Sequence, residues 1–140
     1  MIVLDTNVLS ELIRGEPDER VVDWLDSLDA AMVVTTAITA AELLYGVARL
    51  PEGRRKRRLR EAIDGLIEKD FEGRVEPFDA AAAAHYGALV SDRDAAGCPI
   101  GVADAQIAAI CRRLKATLAT RNVADFRDTG VEIVDPWQAR

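Results

Sequence analysis

The 140-residue chain has one histidine, two cysteines and no long apolar run. His85 alone cannot form the paired-imidazole machinery that cleaves RNA without metal, and a Ser–His–Asp triad would have to use it. It lies in the alanine-rich stretch DAAAAAHYGALV, where a half-buried helix position accounts for it. Cys98 and Cys111 are thirteen residues apart with no C-x-x-C pair, too few N/S ligands for a structural zinc site. Cys111 reads as a small core residue, and both cysteines as reduced thiols. No apolar stretch approaches the ~18 residues of a membrane span. The start, MIVLDTNVLSE, lacks a basic leader and carries Asp5 within its apolar stretch. A secretory signal is therefore not expected, and a cytoplasmic location is. Positive charge is also scarce: 18 Lys+Arg against 24 Asp+Glu give −6, at first sight unfavourable for a polyanionic partner.

What is present reads as one α/β domain over residues 1–140, large enough to bury roughly two-thirds of its unfolded surface. Apolar residues make up 49% of the chain and charged ones 30%, which excludes disorder and coiled coil. Ile2–Leu4, Met32–Thr36, Val75–Phe78, Thr117–Thr120 and Val131–Val134 are short β-rich runs. Between them lie amphipathic helical patterns. One starts at Thr6 or Asn7 and stops at Gly15, and a second has Pro17 in its first turn. A third is capped by Thr39 and continues to Leu50, and a fourth carries Leu59, Ile63, Leu66 and Ile67. A fifth runs from Asp79 to about Ala96, and a sixth from about Gly101 to Leu114. That alternation predicts a sandwich with a mostly parallel sheet of about five strands.

Ligands of open α/β sheets collect at the carboxyl ends of the strands. Asp5 ends the first strand, Glu42 follows the second, Asp104 opens the sixth helix and Asn122 follows the Thr117–Thr120 strand. Each also has a local explanation. Thr39 and Glu42 fit a capping box, and Asp104 complements a helix dipole. Asp5 is harder to explain locally, because a charge after three buried apolar residues is costly unless paired or bound to a cation. Several carboxylates without a balancing base suit Mg2+ or Mn2+, which prefer oxygen ligands, activate water and neutralise phosphate charge.

Asp5-Thr6-Asn7, Ala41-Glu42-Leu43, Ala103-Asp104-Ala105 with Ile107-Ala108-Ala109, and Leu118-Ala119-Thr120-Arg121-Asn122 with Asp125-Phe126 stand in that order. The set resembles the PIN-domain nucleases over essentially the whole chain. The opening, the basic run after residue 53 and the ending Val134-Asp135-Pro136-Trp137 are most similar to VapC toxins of the FitB-like subgroup. The resemblance implies a PIN-like three-layer sandwich and a Mg2+- or Mn2+-dependent endoribonuclease. It also implies a homodimer, inhibited by a VapB-type antitoxin that alone contacts operator DNA. Asp5, Glu42 and Asp104 match the family's metal-binding acids. Thr120 matches a hydroxyl beside the site, and Thr6 and Asn7 match supporting positions. Asn122 replaces the fourth acid; its carbonyl oxygen is a weaker ligand, which Asp125 could supplement or merely accompany as a solvent-facing residue.

Arg54, Arg55, Lys56, Arg57, Arg58 and Arg60 put six positive charges in seven residues, leaving −12 on the rest of the chain. Five consecutive residues encircle a helix, so this is a collar rather than a face. It reads as a solvated turn, a phosphate contact or a dock for an acidic segment. Arg49 and Arg121 are further candidates for phosphate contact. Tyr45, Phe71, Phe78, Tyr86 and Phe126 follow core-like spacing, so no base-stacking platform is expected. Three competing readings are a PIN fold that only binds, a nuclease acting on DNA, and a receiver-type phosphoacceptor domain. The last needs an aspartate near residue 55, where this chain is basic, and a lysine where it has Arg121.

Overall fold

A computed structural model describes residues 1–139. Five short strands form one all-parallel sheet: β1 (Ile2–Leu4), β2 (Val33–Thr36), β3 (Val75–Glu76), β4 (Thr117–Ala119) and β5 (Ile133–Val134). Their order is β3-β2-β1-β4-β5. The chain therefore steps outward from β1 to β3 on one side, then returns across β1 to place β4 and β5 on the other. Connections leave β1 and β4 in opposite directions, and a crevice opens at such a switch point.

Six helices cover the sheet: α1 (Thr6–Leu12), α2 (Glu19–Asp26), α3 (Ala37–Ala48), α4 (Arg54–Gly65), α5 (Ala80–Ala95) and α6 (Val102–Leu114). The pleat sends alternate strand residues to opposite faces. Val3, Val34 and Leu118 join a core with Leu89, Ile107 and Ile110 of α5 and α6. Leu4, Val33 and Ala119 join a second core with residues of α1, α2, α3 and α4. The result is the three-layer sandwich expected.

Local boundaries differ where a side chain found a tertiary partner. α1 starts at Thr6, as expected, and Asp5 caps it by accepting the Thr6 N–H at 2.8 Å. Pro17 stands just outside α2, whose cap is Asp18. Thr36, not Thr39, caps α3: its Oγ1 accepts the Thr39 N–H at 3.0 Å, which removes the capping-box explanation of Glu42. The third helix ends before Leu50. Leu66 and Ile67 fall in a separate π-helical turn, Leu66–Asp70, that follows α4. Met32, Phe78 and Val131 lie outside their strands. Tyr45 is 67% exposed and not a core residue, with the Arg49 guanidinium 5.7 Å from its ring centre. Cys111 is buried, His85 is half-buried, and no helix among the described residues is long and apolar enough to cross a membrane.

Candidate active site

Strand register builds the centre of the site. Leu4 pairs with Ala119, so the next residues, Asp5 and Thr120, sit side by side although 115 positions separate them. Thr120 Oγ1 donates to Asp5 Oδ2 at 2.7 Å, and the Asn7 amide donates to the same oxygen at 3.4 Å. Asn7 Nδ2 also reaches Thr120 Oγ1 at 3.1 Å, and Asn7 Oδ1 accepts the Arg121 N–H at 3.2 Å. Thr120 Oγ1 further accepts the Asn122 N–H at 3.1 Å. Asn7 and Thr120 thus tie two chain segments to one carboxylate.

Glu42 projects from α3 toward this centre. Thr6 Oγ1 donates to its Oε1 at 2.7 Å and lies 3.2 Å from Thr39 Oγ1. Asp104 comes from the first turn of α6. Asp5, Glu42, Asp104 and Asn122 line a cleft of about 520 Å3 with Thr6, Asn7, Arg121 and Trp137. Asp125 lies beside it, in the 3-10 turn Val123–Phe126, and shares a smaller depression with Asp104.

The electrostatics follow from this crowding. Asp5 is 3% exposed, and among the described residues no cation lies within ion-pair distance of it. Burial raises its pKa, opposed by the Thr120 and Thr6 hydrogen bonds and reinforced by Glu42 and Asp125. Asp104 is pushed up to about 6, first by burial, then by the negative charges of Asp5, Asp125 and Glu42. Among the described residues, no three carboxylate, imidazole or thiol groups are drawn together into a ready ligand set. Glu42 is held by Thr6 and exposed, and Asp104 is half-buried, so both can still change rotamer.

The basic candidates divide. Arg121 lines the cleft, its guanidinium 4.8 Å from the Trp137 ring centre. Arg55 borders an adjoining groove of about 300 Å3 with Thr6, Glu42 and apolar residues of α3 and α4. Arg49, Arg54, Arg57 and Arg58 are exposed and line neither. Lys56 is tied to Glu52 at 2.6 Å, and Arg60 to Asp64 at 3.0 Å. Sequence reasoning missed Ser10, Glu11 and Arg14, which also line the cleft. With Asn7 they form an i, i+3, i+4, i+7 polar stripe along α1 and the turn that follows it, a signal the sequence does carry. Trp137 had no periodic pattern to announce it.

Residues 2–132 match the family model of the PIN domain. Parallel sheet, switch-point cleft and acidic lining are thus those of a PIN domain, and the chain belongs to that family. It is 44% identical over 137 residues to Toxin FitB of Neisseria gonorrhoeae, covering 98% of this chain and 99% of the relative. It is 39% identical over 138 residues to VapC ribonuclease Y4jK of Sinorhizobium fredii, covering 99% of each. The crystal structure of FitAcB from Neisseria gonorrhoeae superposes with a TM-score of 0.92 at 44% identity, covering 99% of this chain and 100% of that one. Within the PIN family the chain is of the VapC toxin type.

Proposed function

We propose that the protein is a Mg2+- or Mn2+-dependent endoribonuclease toxin that cuts RNA phosphodiester bonds and is restrained by a VapB-type antitoxin. The observation that carries this reading is Asp5: a carboxylate 3% exposed, without a cationic partner among the described residues, facing a cleft that also holds Glu42 and Asp104. An all-oxygen donor set with no paired lysine or arginine fits a hard divalent ion. Asp5, Glu42 and Asp104 would hold it, helped by the carbonyl oxygen of Asn122. When bound, the ion supplies charge neutralisation at the phosphodiester and a more acidic water.

The chain's own groups do the rest. Thr120 and Asn7 fix the Asp5 carboxylate, and Thr6 aims Glu42 into the cleft. Arg121, stacked on Trp137, presents a guanidinium to a phosphate of the bound strand. The ribonuclease and toxin names of relatives 39–44% identical support this assignment; a homodimer and an antitoxin that contacts operator DNA belong to the same proposal. A cleft of uncompensated carboxylates also suits a basic antitoxin segment.

Asn122 favours a second reading, a PIN fold that binds RNA without cutting it, because an amide replaces one acid. One experiment separates the two. Antitoxin-free protein incubated with structured RNA and Mn2+ should cleave it, EDTA should abolish cleavage, and Asp5→Asn should lower the rate at least ~100-fold while the circular dichroism spectrum is kept. Cleavage that survives EDTA or Asp5→Asn would overturn the metal assignment. Binding without any cleavage would establish the second reading.

A further inference from the structure

Arg93 lies in the last turn of α5 and is 7% exposed. A buried guanidinium is unfavourable unless its donors are matched, yet no carboxylate among the described residues lies within ion-pair distance of it. Its partners are three main-chain carbonyls. Nε donates to Cys98 O at 2.6 Å, and Nη1 donates to Asp125 O at 3.2 Å and to Arg127 O. The Cys98 N–H returns to the Arg93 carbonyl at 2.9 Å, closing a small ring.

These acceptors belong to the two segments that carry half of the cleft's ligands. Cys98 lies in the α5–α6 connection, three residues before Gly101, the cap of α6, with Asp104 in the next turn. Asp125 and Arg127 stand at the end of the 3-10 turn that begins after Asn122. Carbonyls at a helix end lack partners within the helix, and a cation there is favourable. The same side chain borders the depression of about 150 Å3 that it shares with Gly101, Asp104 and Asp125. An apolar side chain of equal volume would fill the space with less desolvation but leave these carbonyls unmatched. What only arginine supplies here is a fixed bridge to all three carbonyls; its charge borders the depression lined by Asp104 and Asp125.

We propose that Arg93 is a positioning residue: a clamp that sets the spacing between Asp104 and the Asn122–Asp125 turn. Its consequence for metal binding and cleavage rests on the nuclease reading above, whereas the clamp itself does not. Arg93→Met keeps the volume and removes the donors; Arg93→Lys keeps the charge and reaches fewer carbonyls.

In the full-length protein, Arg93→Met should retain a cooperative melt and native protection of β1 amides. Amides of Asp125 and Arg127 should exchange at least tenfold faster, and Mn2+ should bind at least tenfold more weakly by calorimetry. RNA cleavage should fall through kcat more than KM, and Arg93→Lys should recover part of each loss. Wild-type exchange at residues 122–127 together with wild-type Mn2+ affinity would overturn the clamp, even if the melting temperature dropped. Should Arg93→Met not fold, the exchange of Arg93→Lys decides by the same criterion. Should the wild-type protein neither bind Mn2+ nor cleave RNA, the nuclease reading fails and exchange alone decides the clamp.

Discussion

Asp5 and Glu11 stand at opposite ends of α1, both buried carboxylates, and their surroundings assign them different work. Glu11, 6% exposed, accepts Arg14 Nη1 at 3.0 and 3.1 Å and the Asp18 N–H at 3.0 Å, so its charge is compensated within the fold. Among the described residues Asp5 has only neutral donors, and its burial cost stands open to a cation from outside. Asp104 carries the same tension in a more solvated place, with its carboxyl raised to about 6. A carboxyl with a raised folded-state pKa binds protons more tightly in the native state, so stability is lost as pH climbs from about 4 through 6. Asp104→Asn removes that loss. The metal-free variant should exceed the parent by about 1 kcal/mol at pH 7.5, a value discounted for solvent screening, and match it near pH 4. Urea unfolding at the two pH values, in EDTA, checks this; equal stability at both would contradict the crowding described for the cleft.

At the scale of elements, the site depends on how helices begin. β2 ends at Thr36, whose hydroxyl takes the Thr39 N–H and so fixes the first turn of α3 and the exit direction of Glu42. Thr36 and Thr39 are fully buried, so the freed amide of a Thr36→Ala variant would have no water to turn to. That substitution should cost about 1–2 kcal/mol, read as a lowered urea midpoint with unchanged slope, and Thr36→Ser should restore most of it. The basic helix α4 shows how the same residue type can serve different ends along one element. Lys56 and Arg60 are held by acids one turn away, while Arg55 alone of the run turns toward a groove beside the cleft.

Across the whole molecule, charge is segregated: +6 within residues 54–60, and a cleft whose carboxylates outnumber its cations. A net charge of −6 therefore does not oppose an RNA partner once a divalent ion neutralises the cleft. Anything that binds the native state alone also stabilises it. Adding Mn2+ at one hundred times its dissociation constant to metal-stripped protein should contribute about 2.7 kcal/mol, a rise of several degrees in melting temperature at pH 7.5. The rise should shrink near pH 5, where Asp104 is largely protonated, and vanish in Asp5→Asn. A shift of equal size in Asp5→Asn would place the ion elsewhere.

The order of strands and helices, and the carboxylates at strand ends, were legible in the sequence because they obey local rules: β-rich runs of three to five residues, helical periodicity, and a charge where burial should forbid one. The polar stripe Asn7, Ser10, Glu11 and Arg14 obeyed such a rule too and could have been read. What local rules cannot state is which strand lies beside which. Placing β1 between β2 and β4 brings Thr120 onto Asp5 and lets Thr6 reach Glu42, and pairing β5 with β4 sets Arg121 over Trp137. The same packing buries Arg93 among carbonyls and leaves Tyr45 in solvent, two outcomes against the usual habits of those residues. Periodicity reports the face a residue presents to its own element; the partner it meets there is decided by sheet order and register, which bring together atoms more than a hundred residues apart.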